Sequence, residues 1–160
     1  MSKVWLYEGK DYDPTYDDIP DDVLGFVYII KDTVTGEKYI GQKRMRKPKT
    51  LPVTKSRKRR VRTVVESDWR EYHGSNTTIK ENVSEGHSDR YQREILRFGY
   101  GKGDLNYLEL KEQFESNALL DDTYLNGIIN AKIHRKHISK KLRQELSNDN
   151  GTTTRKQSTS

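Results

Sequence analysis

The longest apolar run of the chain extends from Leu24 to Ile30, and the pattern then changes twice. Polar residues with one glycine occupy 32–37, and a second β-rich run covers Lys38 to Gly41. Two such runs around a glycine-containing turn predict a β-hairpin. The first run is apolar at nearly every position, which is typical of a central strand buried on both faces.

A third strand is predicted over 90–98, where apolar and polar residues nearly alternate. Its inward set is either Tyr91, Arg93, Ile95 and Arg97 or the opposite register. Asp104 is predicted as a helix N-cap, because its side chain can accept a hydrogen bond from the first free amides. Helical segments are predicted over 68–75 (ended by Gly74), 77–83, 104–120, 121–133 and, as a basic helix, 132–143.

These elements predict an α+β fold of layered type, with a small three-stranded mixed or antiparallel sheet flanked by helices. The chain divides by pattern into four parts. They are an acidic N-terminal arm over 1–23, one folded domain over 24–133 with a basic insertion over 42–63, a basic helical extension over 134–146 and a disordered tail over 147–160.

Charge changes this picture most strongly. The 160 residues carry a net charge of +6, and 34% are charged against 31% hydrophobic, so the core is small and the expected partner is a polyanion such as nucleic acid. Residues 8–22 hold seven acids against the single Lys10. This arm is expected to lie against the domain through its tyrosines. If it masks a basic surface, deletion of residues 1–22 should tighten DNA binding at low salt.

The insertion over 42–63 holds eleven Lys or Arg residues and no acid. Pro48 and Pro52 argue against a helix there, and like charges repel, so a mobile loop is predicted. We expect this loop to contact DNA phosphates, which position a duplex without reading its sequence. The predicted substrate-binding residues are Gly41, Lys43, Arg57, Lys58, Arg59, Arg60, Arg62 and Arg93.

Several function classes are excluded by composition. Without cysteine the chain has no disulfide, thiolate metal site or cysteine nucleophile. The longest apolar run is too short to cross a bilayer, and the N-terminus does not resemble a signal peptide. We therefore expect a cytoplasmic protein that does not bind membranes.

One set of motifs resembles a known family. Phe26-Val27-Tyr28 lies eleven residues before Tyr39-Ile40-Gly41, and this pair looks like the double motif of the GIY-YIG nucleases. The order continues with Asp68-Trp69, Gly74-Ser75, Arg93 to Leu96 and Leu105 to Glu109, as in the Seg-like homing endonucleases of large phages. The resemblance covers roughly residues 24–130. Phe26 departs from it, since the family usually has glycine there.

The resemblance implies a DNA endonuclease in which two tyrosines, a basic residue and one glutamate act with a single divalent ion, Mg²⁺ or Mn²⁺. Tyr28 would be the general base or would position the water, with Tyr39 as its hydrogen-bond partner. Glu109 is the first candidate for the metal ligand and Glu112 the alternative. Gly41 would let the chain turn beside the phosphate, or it is an ordinary strand-ending glycine.

The basic catalytic residue has several candidates, because the insertion separates the second motif from the next helix. Arg70 is the best positional match, His73 comes next, and Lys43 and Arg93 are further candidates. If none of them faces the site, the chain is an inactive nucleic-acid-binding module. A third reading, a protein that binds acidic proteins, needs neither tyrosine.

Overall fold

A computed structural model describes residues 4–129 and 132–158, with the side chains of residues 4–149 outside that gap. The fold is of the predicted α+β class, but its main sheet has five strands where the sequence predicted three. The strand order is β2-β1-β7-β3-β4. These strands are β1 (Trp5–Tyr7), β2 (Lys10–Tyr12), β3 (Gly25–Asp32), β4 (Lys38–Arg44) and β7 (Tyr91–Gly99).

The predicted hairpin is present as β3 and β4, which pair antiparallel from Gly25 opposite Arg44 to Lys31 opposite Lys38. Gly36 in the turn has φ +80°, a conformation that glycine adopts without strain. β3 lies between β7 and β4 and is buried at six of its eight residues. The apolar run therefore corresponds to a central strand, as predicted.

β7 confirms the third predicted strand and explains its imperfect alternation. Its register against β3 shifts between Val27 and Tyr28, so that Val27 lies opposite Arg97 and Tyr28 lies opposite Ile95. The bulge places one extra residue, Leu96, between those pairs. The core face therefore changes from odd positions before the bulge to Phe98 after it, and no single period-2 pattern fits the whole strand.

The first two strands belong to the sheet, so residues 4–23 are not a separate arm. β1 pairs in parallel with β7 and antiparallel with β2. Trp5 and Ile19 are each 1% exposed and pack in the main core. The predicted contact through aromatic residues is present at Tyr7, Tyr12 and Tyr16; residues 1–3 of the predicted arm lie outside the described residues.

The basic insertion is an ordered hairpin and not a loop. Its strands, β5 (Arg46–Leu51) and β6 (Val61–Glu66), form a separate two-stranded antiparallel sheet. Pro48 is tolerated within β5 because a two-stranded ribbon leaves one edge of each strand unpaired. The sequence rules excluded a helix correctly but gave no weight to the β-rich segment 61–65.

The helices are α1 (Thr77–Ser84), α2 (Lys102–Glu115) and α3 (Lys140–Ser158). α1 confirms the turns predicted over 77–83, and Asn76 caps it by accepting a hydrogen bond from the Ile79 amide. The prediction of a helix over 68–75 is wrong: the segment forms turns, although Gly74 does adopt a positive φ of +87°. The Arg93 side chain on β7 donates hydrogen bonds to the carbonyls of Arg70 and Tyr72. These tertiary hydrogen bonds take the place of backbone hydrogen bonds within a helix.

α2 differs from the prediction at both ends. Its N-cap is Gly101, and Asp104 lies one turn inside the helix, buried, where it accepts hydrogen bonds from the amide and hydroxyl of Ser139. Asp104 thus joins α2 to the start of α3. The helix ends at Glu115 instead of Leu120, and Asn117 with φ +53° turns the chain away.

The predicted helix over 121–133 is also absent among its described residues; 130–131 lie outside them. The segment runs beside β4 instead. The Leu125 amide donates to Lys38, and the Asn126 side chain accepts from the Ile40 amide and donates to its carbonyl. Backbone pairing with the edge strand outweighed the helical spacing of the apolar residues.

The predicted basic helix over 132–143 begins later. Residues Arg135–His137 form a single 3-10 turn, and α3 starts at Lys140. α3 continues to Ser158, where a disordered tail was predicted; residues 159–160 lie outside the described residues. Extending an existing helix costs less than starting one, so weak helix formers can follow a docked first turn.

The sheet separates two cores. Phe26, Tyr28 and Ile30 of β3 face the larger one, with Trp5 and Trp69. The alternate residue Val27 faces a smaller core with Ile40, Leu108 and Leu142, against α2 and α3. No helix in 4–129 or 132–158 is both long and apolar enough to cross a membrane.

Candidate active site

The two motif tyrosines lie on the same face of the β3–β4 hairpin. Tyr28 is directly opposite Gly41, and Tyr39 is two residues before Gly41, so both side chains project into the larger-core side. Their ring centroids are 6.4 Å apart. Tyr28 is buried, at 1% exposure, whereas Tyr39 is half-buried. The hairpin therefore brings the two phenols together.

Gly41 makes room for the Tyr28 ring. A Cβ added at Gly41 would lie 2.4 Å from the Tyr28 hydroxyl oxygen and 2.7 Å from Cζ. Gly41 itself lies inside β4 and is not among the glycines with positive φ, so the predicted sharp turn beside a phosphate is wrong. Its role in the structure is a close approach, which only a residue without a side chain permits.

The turn at 67–75 lies against both phenols. The Tyr72 ring packs edge-on against the Tyr28 ring, with centroids 6.1 Å apart, and the Ser75 hydroxyl lies 2.9 Å from the Tyr39 hydroxyl. Burial is the main reason that the pKa of Tyr28 is raised well above its usual value, and the neighbouring Tyr72 is the second reason. Tyr28 therefore stays protonated, and the geometry favours its positioning role over that of a base.

The cation beside the phenols is Lys43. It lies two residues after Gly41 on the same face of β4, with Nζ 4.0 Å from the centroid of the Tyr72 ring. The ammonium also forms an ion pair with Asp68, at 2.6 Å. The hydrogen bond from Lys43 lowers the pKa of Asp68, so the pair is ionised at neutral pH.

Arg70 is held elsewhere. Nε donates to Glu66, one terminal nitrogen to Asp13 and the other to the Pro14 carbonyl, while the guanidinium lies 4.5 Å from the Trp69 ring centroid. These contacts join the N-terminal segment to the turn, so Arg70 is not directed at the phenols, whereas Lys43 lies beside them. The geometry thus favours Lys43 over Arg70 as the basic residue.

His73 and Arg93 are also set back from the phenols. His73 Nδ1 lies 2.7 Å from the Glu71 carbonyl, and burial followed by the charge of Arg93 lowers its pKa. Arg93 is 4% exposed and donates to the carbonyls of Arg70 and Tyr72. Burial lowers the pKa of Arg93 to about 10. Arg93 was predicted to bind the substrate, but these contacts hold the turn in place instead.

Glu109 approaches from the α2 side of the edge strand. Its Oε2 accepts a 2.6 Å hydrogen bond from Gln42, whose amide also donates to Asn106 at 2.8 Å. The carboxylate is near enough to contribute to the raised pKa of Tyr28. Burial raises the pKa of Glu109 itself. Glu112 lies near Glu115, Lys111 and Arg97, towards β7, so the geometry favours Glu109.

These residues fit one oxygen-preferring divalent ion. Among the described residues, no three His, Cys, Asp or Glu side chains cluster to hold a metal. A single carboxylate suffices when water and phosphate oxygens complete an octahedral shell. One Glu109 oxygen is fixed by Gln42, and the other has only a 3.5 Å contact with Gln113. That second oxygen can serve as a ligand.

The remaining predicted substrate contacts lie on the β5–β6 hairpin. Arg57 is half-buried and donates to the Pro52 carbonyl, which fixes the turn. Four cations near it are exposed to solvent: Lys58, Arg59, Arg60 and Arg62.

Four residues of the site were missed from the sequence: Gln42, Asn106, Tyr72 and Ser75. Gln42 could have been found, because alternation from Gly41 turns it towards the helix that carries Glu109. Tyr72 and Ser75 reach the site only through the turn at 67–75, which was predicted as a helix.

The main sheet is mixed, and its β3–β4 hairpin carries two tyrosines and a lysine on one face and contacts Glu109 through Gln42 on the other. The family model described as "Putative endonuclease segE, GIY-YIG domain" matches residues 5–129. The chain therefore belongs to the GIY-YIG nucleases and is Seg-like. The match begins at Trp5 and so includes β1 and β2. No curated protein and no solved structure matches the chain.

Proposed function

We propose that this chain hydrolyses phosphodiester bonds in double-stranded DNA with one Mg²⁺ or Mn²⁺ ion, as the homing-type endonuclease of a phage-like element in the host cytoplasm. Family membership supports nuclease activity in general. The observation that carries the finer proposal is that the β3–β4 hairpin holds two phenols and an ammonium on one face, while Gln42 on the other face of β4 holds a half-buried carboxylate.

Phosphodiester hydrolysis needs a positioned water, neutralisation of charge on the phosphate and help for the leaving oxygen. Glu109 would hold the ion, oriented by Gln42, and the bound ion would supply Lewis-acid stabilisation of the phosphate. Lys43 would neutralise a second phosphate oxygen. Its present partner Asp68 has a side chain 71% exposed, so the pair is open to exchange with a substrate anion.

The two phenols have different parts in this proposal. Tyr28 is a buried phenol that packs against Tyr72, in the turn whose Ser75 hydroxyl contacts Tyr39. The hydrogen bond between Tyr39 and Ser75 is exposed, so Tyr39 is the phenol that can contact a water or the scissile phosphate. Tyr39 therefore orients the nucleophile, and Tyr28 supports the turn that carries Ser75.

Nicking of supercoiled plasmid tests this function. We expect nicking in Mg²⁺ that is lost in EDTA and falls at least about 10²-fold in Tyr39→Phe, in Lys43→Met and in Glu109→Ala. Tyr107→Phe and Glu112→Ala make the same changes on exposed or half-buried positions of α2 and should nick at the wild-type rate.

A second candidate is an inactive module that binds nucleic acid with the same fold. The commitment of Arg70 to Asp13, Glu66 and Pro14 favours it, because the best positional match for a catalytic arginine is not free. Salt-sensitive retardation of DNA without nicking by the wild type in Mg²⁺ or Mn²⁺ would establish this module and reject the endonuclease.

A further inference from the structure

The β5–β6 hairpin stands apart from the main sheet. Its two strands pair with each other over six residue pairs and form a sheet of their own. Six residues per strand give a ribbon of about 20 Å. A two-stranded ribbon alone is marginally stable in water, and Val61 and Val64 are exposed on it. A short ribbon with exposed apolar residues is typical of an element that is covered by a binding partner.

Cross-strand partners share a face, and successive pairs alternate between faces. One face, which we call the lysine face, carries the pairs Lys47–Val65, Lys49–Thr63 and Leu51–Val61. The other, the arginine face, carries Arg46–Glu66, Pro48–Val64 and Thr50–Arg62.

The two faces have different surroundings. The arginine face turns towards the N-terminal segment: Arg46 donates to the carbonyls of residues 19, 20 and 23, and Pro48 and Val64 line a cleft with Asp21 and Asp22, which Lys47 also borders. Beyond Lys47 the lysine face is turned away from those carboxylates, because successive pairs alternate between faces. The carboxylates repel phosphate, so a polyanion approaches the part of the lysine face formed by Lys49, Thr63, Leu51 and Val61.

We propose that the β5–β6 hairpin enters the major groove of double-stranded DNA and reads bases through its lysine face. This inference rests on the proposed function for its substrate and adds where sequence choice arises. Phosphate contacts alone position a duplex and read nothing, so a chain that cuts at chosen sites needs a contact with base edges.

The dimensions fit this groove. The major groove of B-form DNA is about 12 Å wide and admits a two-stranded ribbon. Lys49 can donate to guanine O6 or N7, Thr63 can donate or accept at either base type, and Leu51 with Val61 can contact a thymine methyl. The exposed arginines at the turn, Arg59 and Arg60, then lie within reach of flanking phosphates. A-form RNA has a major groove too narrow for this entry.

The hairpin contains its own matched control. Lys49–Thr63 and Thr50–Arg62 are neighbouring pairs on opposite faces, each with one cation and one threonine. We would select bound duplexes from a random 30-base-pair DNA pool with the full chain in EDTA. Affinities of Lys49→Ala/Thr63→Ala and Thr50→Ala/Arg62→Ala would then be measured for an enriched and a scrambled duplex.

The wild type should prefer the enriched duplex over the scrambled one. The lysine-face variant should lose roughly 5- to 150-fold of that preference, the range for loss of one base contact. The arginine-face variant should keep the preference and lose affinity for both duplexes about equally. Binding of an RNA duplex should be weaker than binding of DNA.

Three results would overturn the inference: no enriched sequence, an unchanged preference in the lysine-face variant, or equal binding of RNA and DNA duplexes. Because binding is measured without a divalent ion, the outcome does not depend on cleavage. If the wild type nicks plasmid and the lysine-face variant keeps its sequence preference, the proposed endonuclease stands and groove reading is rejected. If the lysine-face variant loses its preference and the wild type does not nick plasmid, groove reading stands and the endonuclease is rejected.

Discussion

At the scale of single residues, the site depends on a missing side chain. Gly41 lets the Tyr28 ring lie across the edge strand, and that ring packs against Tyr72 in the turn whose Ser75 contacts Tyr39. The order of these contacts means that a change at Gly41 is transmitted to the exposed phenol. A methyl group there must displace either the ring or the strand.

We expect Gly41→Ala to reduce plasmid nicking about 10²-fold, since a displacement near 1 Å can cost that much. It should also lower the free energy of unfolding by about 1–3 kcal/mol through overpacking. Nicking assays and urea denaturation measure the two effects. Gly127→Ala is the matched control, because a Cβ there meets nothing within 4 Å. Normal nicking by Gly41→Ala would show that Tyr28 is not needed in this position.

Burial gives Glu109 a conflict between stability and function. Its pKa is raised by desolvation, so the folded protein holds the ionised carboxylate at a cost relative to the unfolded chain. A bound cation would relieve that cost. Glu112 shares the raised pKa, again mainly from burial, but it lies towards Arg97 instead of Gln42.

We therefore expect Glu109→Gln and Glu112→Gln both to raise the melting temperature at pH 7, while only Glu109→Gln abolishes nicking. Below the usual glutamate pKa the wild-type groups are neutral in both states, so the gain should vanish there. It should grow as the pH rises through the folded-state pKa. Thermal melts between pH 4 and 8 measure this, and a destabilised Glu109→Gln would contradict it.

At the scale of elements, the N-terminal hairpin completes the core. Trp5 on β1 packs edge-on against Phe26 and Tyr28, and its indole donates to the Trp69 carbonyl at 2.7 Å. β1 thereby fixes both β3 and the turn that carries Tyr72. A negatively charged segment that begins with a core tryptophan cannot act as a detachable mask.

Trp5→Ala should lower the free energy of unfolding by about 3–5 kcal/mol, as for other buried aromatics. Deletion of residues 1–22 should destabilise the chain further and weaken DNA binding, opposite to the outcome expected of a mask. Asp17→Asn/Asp21→Asn removes exposed charge without touching the core and serves as the control. Chemical denaturation measures the change in stability, and titration with DNA at low salt measures the change in affinity. A deletion variant that folds and binds DNA more tightly would support the masking hypothesis.

The elements that sequence reasoning found are those with strong local patterns. Each of three local patterns was sufficient to predict its element: the apolar run of β3, the glycine turn before β4 and the alternation in β7. β1 has only three residues and is fixed by a parallel partner nearly ninety positions away, with Leu6 opposite Glu94, so no local pattern reveals it. The apolar residues at 125, 128 and 129 have helical spacing, but backbone pairing with β4 decides that segment.

The candidate site shows the same division. Tyr28, Tyr39 and Glu109 were named from their motifs, and the structure places the two phenols on one face of the β3–β4 hairpin and Glu109 beside Gln42 of β4. The basic residue could not be chosen from spacing, because the insertion shifts every following position. Only the ion pairs distinguish Arg70, held by Asp13 and Glu66, from Lys43, which lies over the Tyr72 ring.

At the scale of the whole molecule, charge is separated in space as well as in sequence. Acids gather on the N-terminal segment, where Asp13 and Asp22 pair with Arg70 and Lys141. The cations of the β5–β6 hairpin have no acid within residues 46–62. We therefore expect a duplex to be drawn to the hairpin side.

Binding of duplex DNA should depend steeply on salt. If about six to eight cations meet phosphates, the logarithm of the binding constant should fall with the logarithm of salt concentration at a slope of about −5 to −7. Titrations between 50 and 200 mM salt, about the usual range for such tests, give the slope. Arg59→Gln/Arg60→Gln should make it shallower by about 2, and Lys31→Gln/Lys80→Gln should not change it.

The edge strand β4 has one more property with a practical consequence. The Asn126 side chain forms hydrogen bonds with both the amide and the carbonyl of Ile40. The strand at the opposite edge, β2, is only three residues long and carries the charged residues Lys10 and Asp11. Neither margin of the sheet offers a free row of donors and acceptors to another chain. Concentrated solutions of this protein should accordingly resist fibril growth, and loss of the Asn126 amide should be the shortest route to it.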